Sequence, residues 1–143
     1  MILLDTSGLL AWIDSGQRQH GRTVDAMAAA RPPFLLSPFV LAEIDYLLAT
    51  RVGPEAEQAL LREVAAGAFR LEAFTAADIA LALEIIERFG EQRIGLADAS
   101  LVVLANRHSV AEILTLDERH FRVLRTAAGQ PFRLVPADGA AGG

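Results

Sequence analysis

The sequence of 143 residues predicts a single α/β domain, a parallel sheet covered on both faces by helices. Three observations predict it. Short apolar stretches alternate with helix-length segments along most of the chain. The short stretches are apolar at successive positions, as in strands buried on both faces, instead of alternating with polar residues. Asp5 and Asp117 each follow such a stretch, and sheets of this kind bind ligands outside the carboxyl ends of their strands.

ILL (2–4) is the first strand, and SGLLAWI (7–13) reads as a helix with Ser7 as its cap. A carboxylate beside an apolar strand is costly unless something pairs with it. Asp5 therefore either caps the following helix, as Ser7 does, or belongs to a charged site at the strand end. MILLDTSGLLAW alone does not choose. A second helical stretch, 17–30, stops before Pro32-Pro33, and FLL (34–36) is again strand-like. Ser37 as cap and Pro38 in the first turn make 37–50 the strongest helix start in the chain. A helix rich in Glu and Ala follows over 54–66. FRLEAF (69–74) alternates as a strand does, and 75–89 is a helix capped by Thr75. After the turn-like GEQRIG (90–95), residues 96–108 form a nearly all-apolar helix, hence a buried one. EILTL (112–116) is strand-like, DERHF carries no assigned element, and FRLV (132–135) is a weak last strand. The domain is expected to span 1–136, with ADGAAGG (137–143) as a disordered tail.

Composition narrows the chemistry. With 52% hydrophobic and 22% charged residues the chain is globular and not disordered. The absence of cysteine excludes disulfides, thiolate metal sites and cysteine nucleophiles. All 13 basic residues are arginine, from coding bias or from use. The missing lysine excludes Schiff-base chemistry, Walker-type phosphate loops and the lysine of receiver domains. Neither a signal-peptide pattern nor a stretch near the roughly 20 apolar residues of a membrane span is seen, so a cytoplasmic protein is expected. A formal charge of −5 argues against a generic nucleic-acid-binding surface.

Four acids sit in apolar surroundings: Asp5 after ILL, Glu43 in FVLAEIDYLL, Asp98 in IGLADASLVVLA and Asp117 in EILTLDERHF. Singly, each has an ordinary reading as a turn acid, a helix cap or an amphipathic border residue. A parallel sheet would converge them on one edge, and converging carboxylates do not all stay ionised without a cation. His20, His108 and His120 lack zinc-ligand spacing, so the expected ion is oxygen-loving, Mg2+ or Mn2+, which commonly serves phosphoryl chemistry. Two such ions would bring the charge of −5 to −1, so acidity does not exclude an RNA substrate.

In this order and spacing, LLDTS, PFVLAEIDYLL, GLADASLVVLA and ILTLDERHF resemble the PIN-domain ribonucleases, and more narrowly the VapC-type toxins of toxin–antitoxin pairs. The resemblance runs from Met1 to about Pro136. It implies a Rossmann-like three-layer α/β/α domain and a Mg2+-dependent endoribonuclease, with Mn2+ able to substitute. It also implies a homodimer, a cognate VapB-type antitoxin, and tRNA or another structured RNA as substrate. Asp5, Glu43, Asp98 and Asp117 match the family's acidic quartet, catalytic and metal-ligating, which hydrolyses RNA phosphodiesters with a metal-activated water. Thr6 and Ser7 match its polar residues after the first acid, and Thr115 the hydroxyl before the last. Ser7 would orient Asp5 while capping the helix. Arg88, Arg93, Arg119, His120, Arg122 and Arg125 flank Asp98 and Asp117. They either hold RNA phosphates, form a solvated basic face or meet a partner.

Helix geometry leaves one point open. Val40, Leu41, Ile44, Leu47 and Leu48 form an apolar stripe, with Glu43 and Asp45 on opposite flanks, roughly 160° apart. Periodicity does not choose between them; the resemblance chooses Glu43. Two rival classes also place acids at such positions: a phosphatase or receiver-like domain, and a non-enzymatic module whose acids meet a partner's arginines. The missing lysine, and the absence of an acid two residues after Asp5, count against the first.

Overall fold

The computed structural model describes residues 1–139; the rest of the expected tail, 140–143, lies outside the described residues. Five parallel strands form one sheet: β1 (Ile2–Leu4), β2 (Phe34–Leu36), β3 (Arg70–Leu71), β4 (Glu112–Leu114) and β5 (Arg133–Val135), in the order β3-β2-β1-β4-β5. Central strands carry no polar face because both faces are covered: Ile2, Leu3, Leu4, Ile113 and Leu114 are all fully buried. Leu3 stands in register between Leu35 and Ile113.

Helices α1 (Thr6–Ile13) and α2 (His20–Ala29) join β1 to β2, and α3 (Pro38–Arg51) and α4 (Pro54–Ala65) join β2 to β3. Helices α5 (Ala76–Arg88) and α6 (Leu96–His108) lead back to β4, and the one-turn helix α7 (Glu118–Phe121) precedes β5. Crossovers between parallel strands are right-handed. The chain winds outward through β2 and β3 and then returns to β4, so its helices cover opposite faces in three layers. The winding reverses between β1 and β4, the position at which sheets of this kind bind ligands.

Several boundaries differ from the sequence reading. Helix α2 starts at His20, not at 17, because Asp14 accepts hydrogen bonds from Gly16 N and Gln17 Nε2 (3.0 and 2.9 Å), closing a turn ahead of it. The expected strand 69–74 is reduced to Arg70–Leu71 at the sheet edge; Glu72 leaves the strand pattern to meet Arg70, Arg107 and His108. DERHF, left unassigned, forms α7, with Asp117 accepting a hydrogen bond from His120 N at 3.0 Å as its cap. Ser7 does not cap α1. The N-cap position belongs to Asp5, whose side chain makes no cap bond, and the Ser7 hydroxyl is committed elsewhere. Helix 96–108 has the expected bounds and its expected burial over Ala99–Ala105.

Candidate metal and active site

The site is built where the ends of β1 and β4 meet. Asp5 N donates to Leu114 O at 3.0 Å, so the chain leaving β1 is held against the end of β4. Gly8 makes this approach possible: a Cβ there would stand 2.5 Å from Leu114 O. The first turn of α1 therefore lies directly on the β4 end and brings Ser7 to Thr115.

Two hydroxyls converge on Asp5 Oδ2, from Thr115 Oγ1 at 2.7 Å and Ser7 Oγ at 2.9 Å. Each hydroxyl has one proton. With both protons given to Asp5, the 3.2 Å contact between Ser7 Oγ and Thr115 Oγ1 has no donor and is packing only. Each hydroxyl also accepts a backbone N–H, Ser7 from Leu116 and Thr115 from Asp117, both at 2.9 Å. The carboxylate ending β1 is thus tied through two hydroxyls to the backbone following β4. Asp5 is only 5% exposed, and burial pushes its carboxyl above the usual range despite the Thr115, Ser7 and Thr6 hydrogen bonds; the nearby Asp117 charge adds to the rise.

Asp98 enters from the first turn of α6. That helix is anchored at the end of β2: Ser100 Oγ donates to Ala97 O at 2.6 Å, and the buried Ser37 and Ser100 hydroxyls meet at 2.7 Å. Burial first, then the Asp5 charge, push the Asp98 carboxyl up to about 6; Asp117 adds to the rise and His120 opposes it. Glu43, on an exposed position of α3, accepts a hydrogen bond from Thr6 Oγ1 at 2.9 Å. It is therefore linked to the residue beside Asp5. Asp45 is turned to α4, where its hydrogen bond with Glu57 raises the Glu57 carboxyl.

The sequence reading found no zinc-ligand spacing for His120 and grouped it with the flanking arginines; the structure puts it beside two of the acids. His120 Nδ1 lies 3.2 Å from Asp98 Oδ2 and 3.0 Å from Asp117 Oδ2. Among the described residues, Asp98, Asp117 and His120 form the group whose ligand atoms all lie within 4.8 Å of one another. The signal was present in Asp117-x-x-His120: a cap and the third helical residue share one face of a first turn. The flanking arginines diverge. Arg122 is held by Glu118 and Asp138 at 2.9 and 2.7 Å, the latter inside the stretch expected as tail. Arg88 lies over the Phe89 ring, and Arg125 Nη1 donates to the carbonyls of 122–124. Arg93 and Arg119 are exposed.

The donor set suits a divalent cation. Burial and then neighbouring charge raise the carboxyls of Asp5 and Asp98, and a buried imidazole nitrogen beside Asp98 and Asp117 has no hydrogen-bond partner among the described residues. A cation there would relieve the repulsion and give that nitrogen a partner.

Fold and site together define a doubly wound α/β domain with a carboxylate cluster at its switch point. A sequence profile of the PIN domain matches residues 2–125, and the chain belongs to the PIN-domain family. Over 135 residues it is 45% identical to Ribonuclease VapC26 of Mycobacterium tuberculosis, covering 94% of this chain and 100% of that protein. The crystal structure of VapC20 of the same organism, a sarcin–ricin-loop-cleaving toxin, superposes with a TM-score of 0.77 at 26% identity, covering 82% of this chain and 90% of that one. A toxin–antitoxin complex from Klebsiella pneumoniae shares the fold, with a TM-score of 0.65 at 20% identity over 87% of this chain and 92% of that one.

Proposed function

We propose that the chain is a metal-dependent endoribonuclease, the toxin of a type II toxin–antitoxin pair. The observation that carries this reading is that ligand atoms of Asp98, Asp117 and His120 lie within 4.8 Å of one another beside the buried Asp5, whose charge, after burial, helps push Asp98 up to about 6. Identity to a named ribonuclease at 45% over nearly the whole chain supports the substrate class.

Asp5, Asp98 and Asp117 would hold the ion, Mg2+ or Mn2+, with Glu43 closing the site from α3. When bound, a divalent ion polarises the phosphodiester and lowers the pKa of water at the site. The remaining work belongs to the chain. Ser7 and Thr115 donate to Asp5, which favours its ionised form against burial and holds it in one orientation. Thr6, the residue that follows Asp5, holds the Glu43 carboxylate. Arg93, before Asp98 in the sequence, and Arg119, after Asp117, are exposed and would hold RNA phosphates. A structured RNA such as tRNA is the proposed substrate, and a VapB-type antitoxin and a second copy of the chain the proposed partners. A cytoplasmic location accords with this role; among the described residues no helix is long and apolar enough to cross a membrane.

The experiment is cleavage of RNA by the purified full chain with Mg2+ or Mn2+ and after chelation. Cleavage is expected to need the metal. Asp5→Asn is expected to abolish both cleavage and the metal-induced rise in Tm while leaving the circular dichroism spectrum unchanged. Full activity in Asp5→Asn ends the mechanism. In cells, expression should arrest growth, and the product of the adjacent small gene should relieve it. A harmless wild type that captures no small partner ends the toxin assignment while leaving the nuclease intact.

A further inference from the structure

His120 Nδ1 stands at ion-pair distance from two carboxylates, yet it makes no hydrogen bond among the described residues. The nitrogen is buried, and the two carboxylate oxygens stand 3.0 and 3.2 Å away. Neither contact has the direction of a hydrogen bond, so the ring is not placed there to donate to Asp98 or Asp117. The spacing has another meaning. Adjacent ligands of a six-coordinate ion with bonds of about 2.1 Å stand about 3.0 Å apart. Nδ1 and its two oxygen neighbours are therefore already spaced as neighbouring corners of a coordination shell.

Local structure holds the ring in this position. Asp117 spends Oδ1 on the His120 N–H, which closes the first turn of α7 and leaves Oδ2 facing the site. The same turn returns the imidazole over that oxygen. Phe121, the next residue, is fully buried and packs edge-on against Phe132, so the turn cannot rotate freely.

We propose that His120 is a direct ligand of the divalent ion through Nδ1, beside Asp98 and Asp117, and that this nitrogen makes the site prefer Mn2+ over Mg2+. The inference rests on the metal-dependent reading above and deepens it. Mg2+ favours oxygen ligands and dehydrates reluctantly, whereas imidazole suits the transition metals. One nitrogen among carboxylates keeps the site open to Mg2+ while shifting the balance.

The test uses the full chain with Mn2+ itself as the probe. Electron spin-echo spectra of bound Mn2+ are expected to show the nitrogen modulation of a directly coordinated imidazole. The chain has 3 histidines, so a double variant, His20→Gln with His108→Gln, should keep that modulation. His120→Gln should lose it. Titrations should give Mn2+ an affinity at least about tenfold above that of Mg2+ in the wild type, and His120→Gln should remove most of that preference. Should His120→Gln fail to fold, the double variant alone still carries the assignment. Bound Mn2+ without nitrogen modulation in the wild type overturns the inference and leaves the nuclease reading standing. A preference for Mn2+ that survives in a folded His120→Gln also overturns it. A wild type that binds neither ion overturns both readings.

Discussion

Thr115 Oγ1 donates to Asp5 Oδ2 at 2.7 Å, joining the end of β4 to the end of β1 at the point where the winding of the sheet reverses. The same hydroxyl accepts the Asp117 N–H, so one side chain orients the first acid and the backbone of the last. Thr115→Val keeps the shape and removes both bonds. We expect a loss of about 1–3 kcal/mol in urea denaturation, because a buried charge loses a donor and a backbone N–H loses its acceptor. Metal affinity should fall by about 10- to 100-fold, as when other supporting groups of metal sites are lost, which calorimetric titration would read.

Gly8 supports the same junction by having no side chain. Gly8→Ala would place a Cβ 2.5 Å from Leu114 O, a backbone atom of a central strand that cannot move aside cheaply. A cost of about 1–3 kcal/mol is expected in chemical denaturation, the range for overpacked cores. Displacement of α1 should also separate Ser7 from Asp5, so metal affinity should fall with stability.

The acids make the metal-free protein sensitive to pH in a defined direction. Asp98 is raised from 3.8 to about 6 on folding, chiefly by burial and next by the Asp5 charge. A carboxyl raised on folding holds its proton more tightly in the native state, so stability falls as pH rises through that window and is flat above it. The contribution of Asp98 is at most about 3 kcal/mol. Denaturation midpoints of wild type and Asp98→Asn, compared from pH 4 to pH 7 without metal, should diverge across the window and run parallel above about pH 6. Mn2+ should reverse the slope, because it binds the ionised carboxylate. Parallel curves throughout would show that Asp98 is not raised.

Glu43 and Asp45 offer the cleanest comparison of neighbouring acids. Glu43 accepts from Thr6 at 2.9 Å, beside Asp5, while Asp45 meets Glu57 on α4. Glu43→Gln should lower RNA cleavage by at least about tenfold and weaken metal binding. Asp45→Asn should leave both within a few-fold and let the Glu57 carboxyl fall toward its ordinary range, since Asp45 is what raises it. Carboxyl titration by NMR alongside cleavage assays would decide the pair; the reverse pattern would place Asp45 in the site.

Much of the fold follows from the sequence by itself, because strands buried on both faces and helices with strong caps leave local signals. ILL, FLL and the buried helix 96–108 were legible from apolar runs, and Ser37-Pro38 and Thr75 from capping chemistry that acts within a few residues. The acids Asp5 and Asp117 were legible as charges following apolar strands. What required the tertiary structure is every relation made across the sheet. The Ser7 hydroxyl could serve as a cap or a donor to Asp5, and only the arrival of Leu116 N and Thr115 beside it decided the matter. Glu43 and Asp45 flank one stripe symmetrically until α1 and α4 take up opposite sides of α3. Arg122 looks like any exposed arginine until Asp138, 16 residues later, pairs with it. His120 has no ligand spacing along the chain because its partner Asp98 comes from another helix, and proximity between separate elements is set by packing, not by sequence distance.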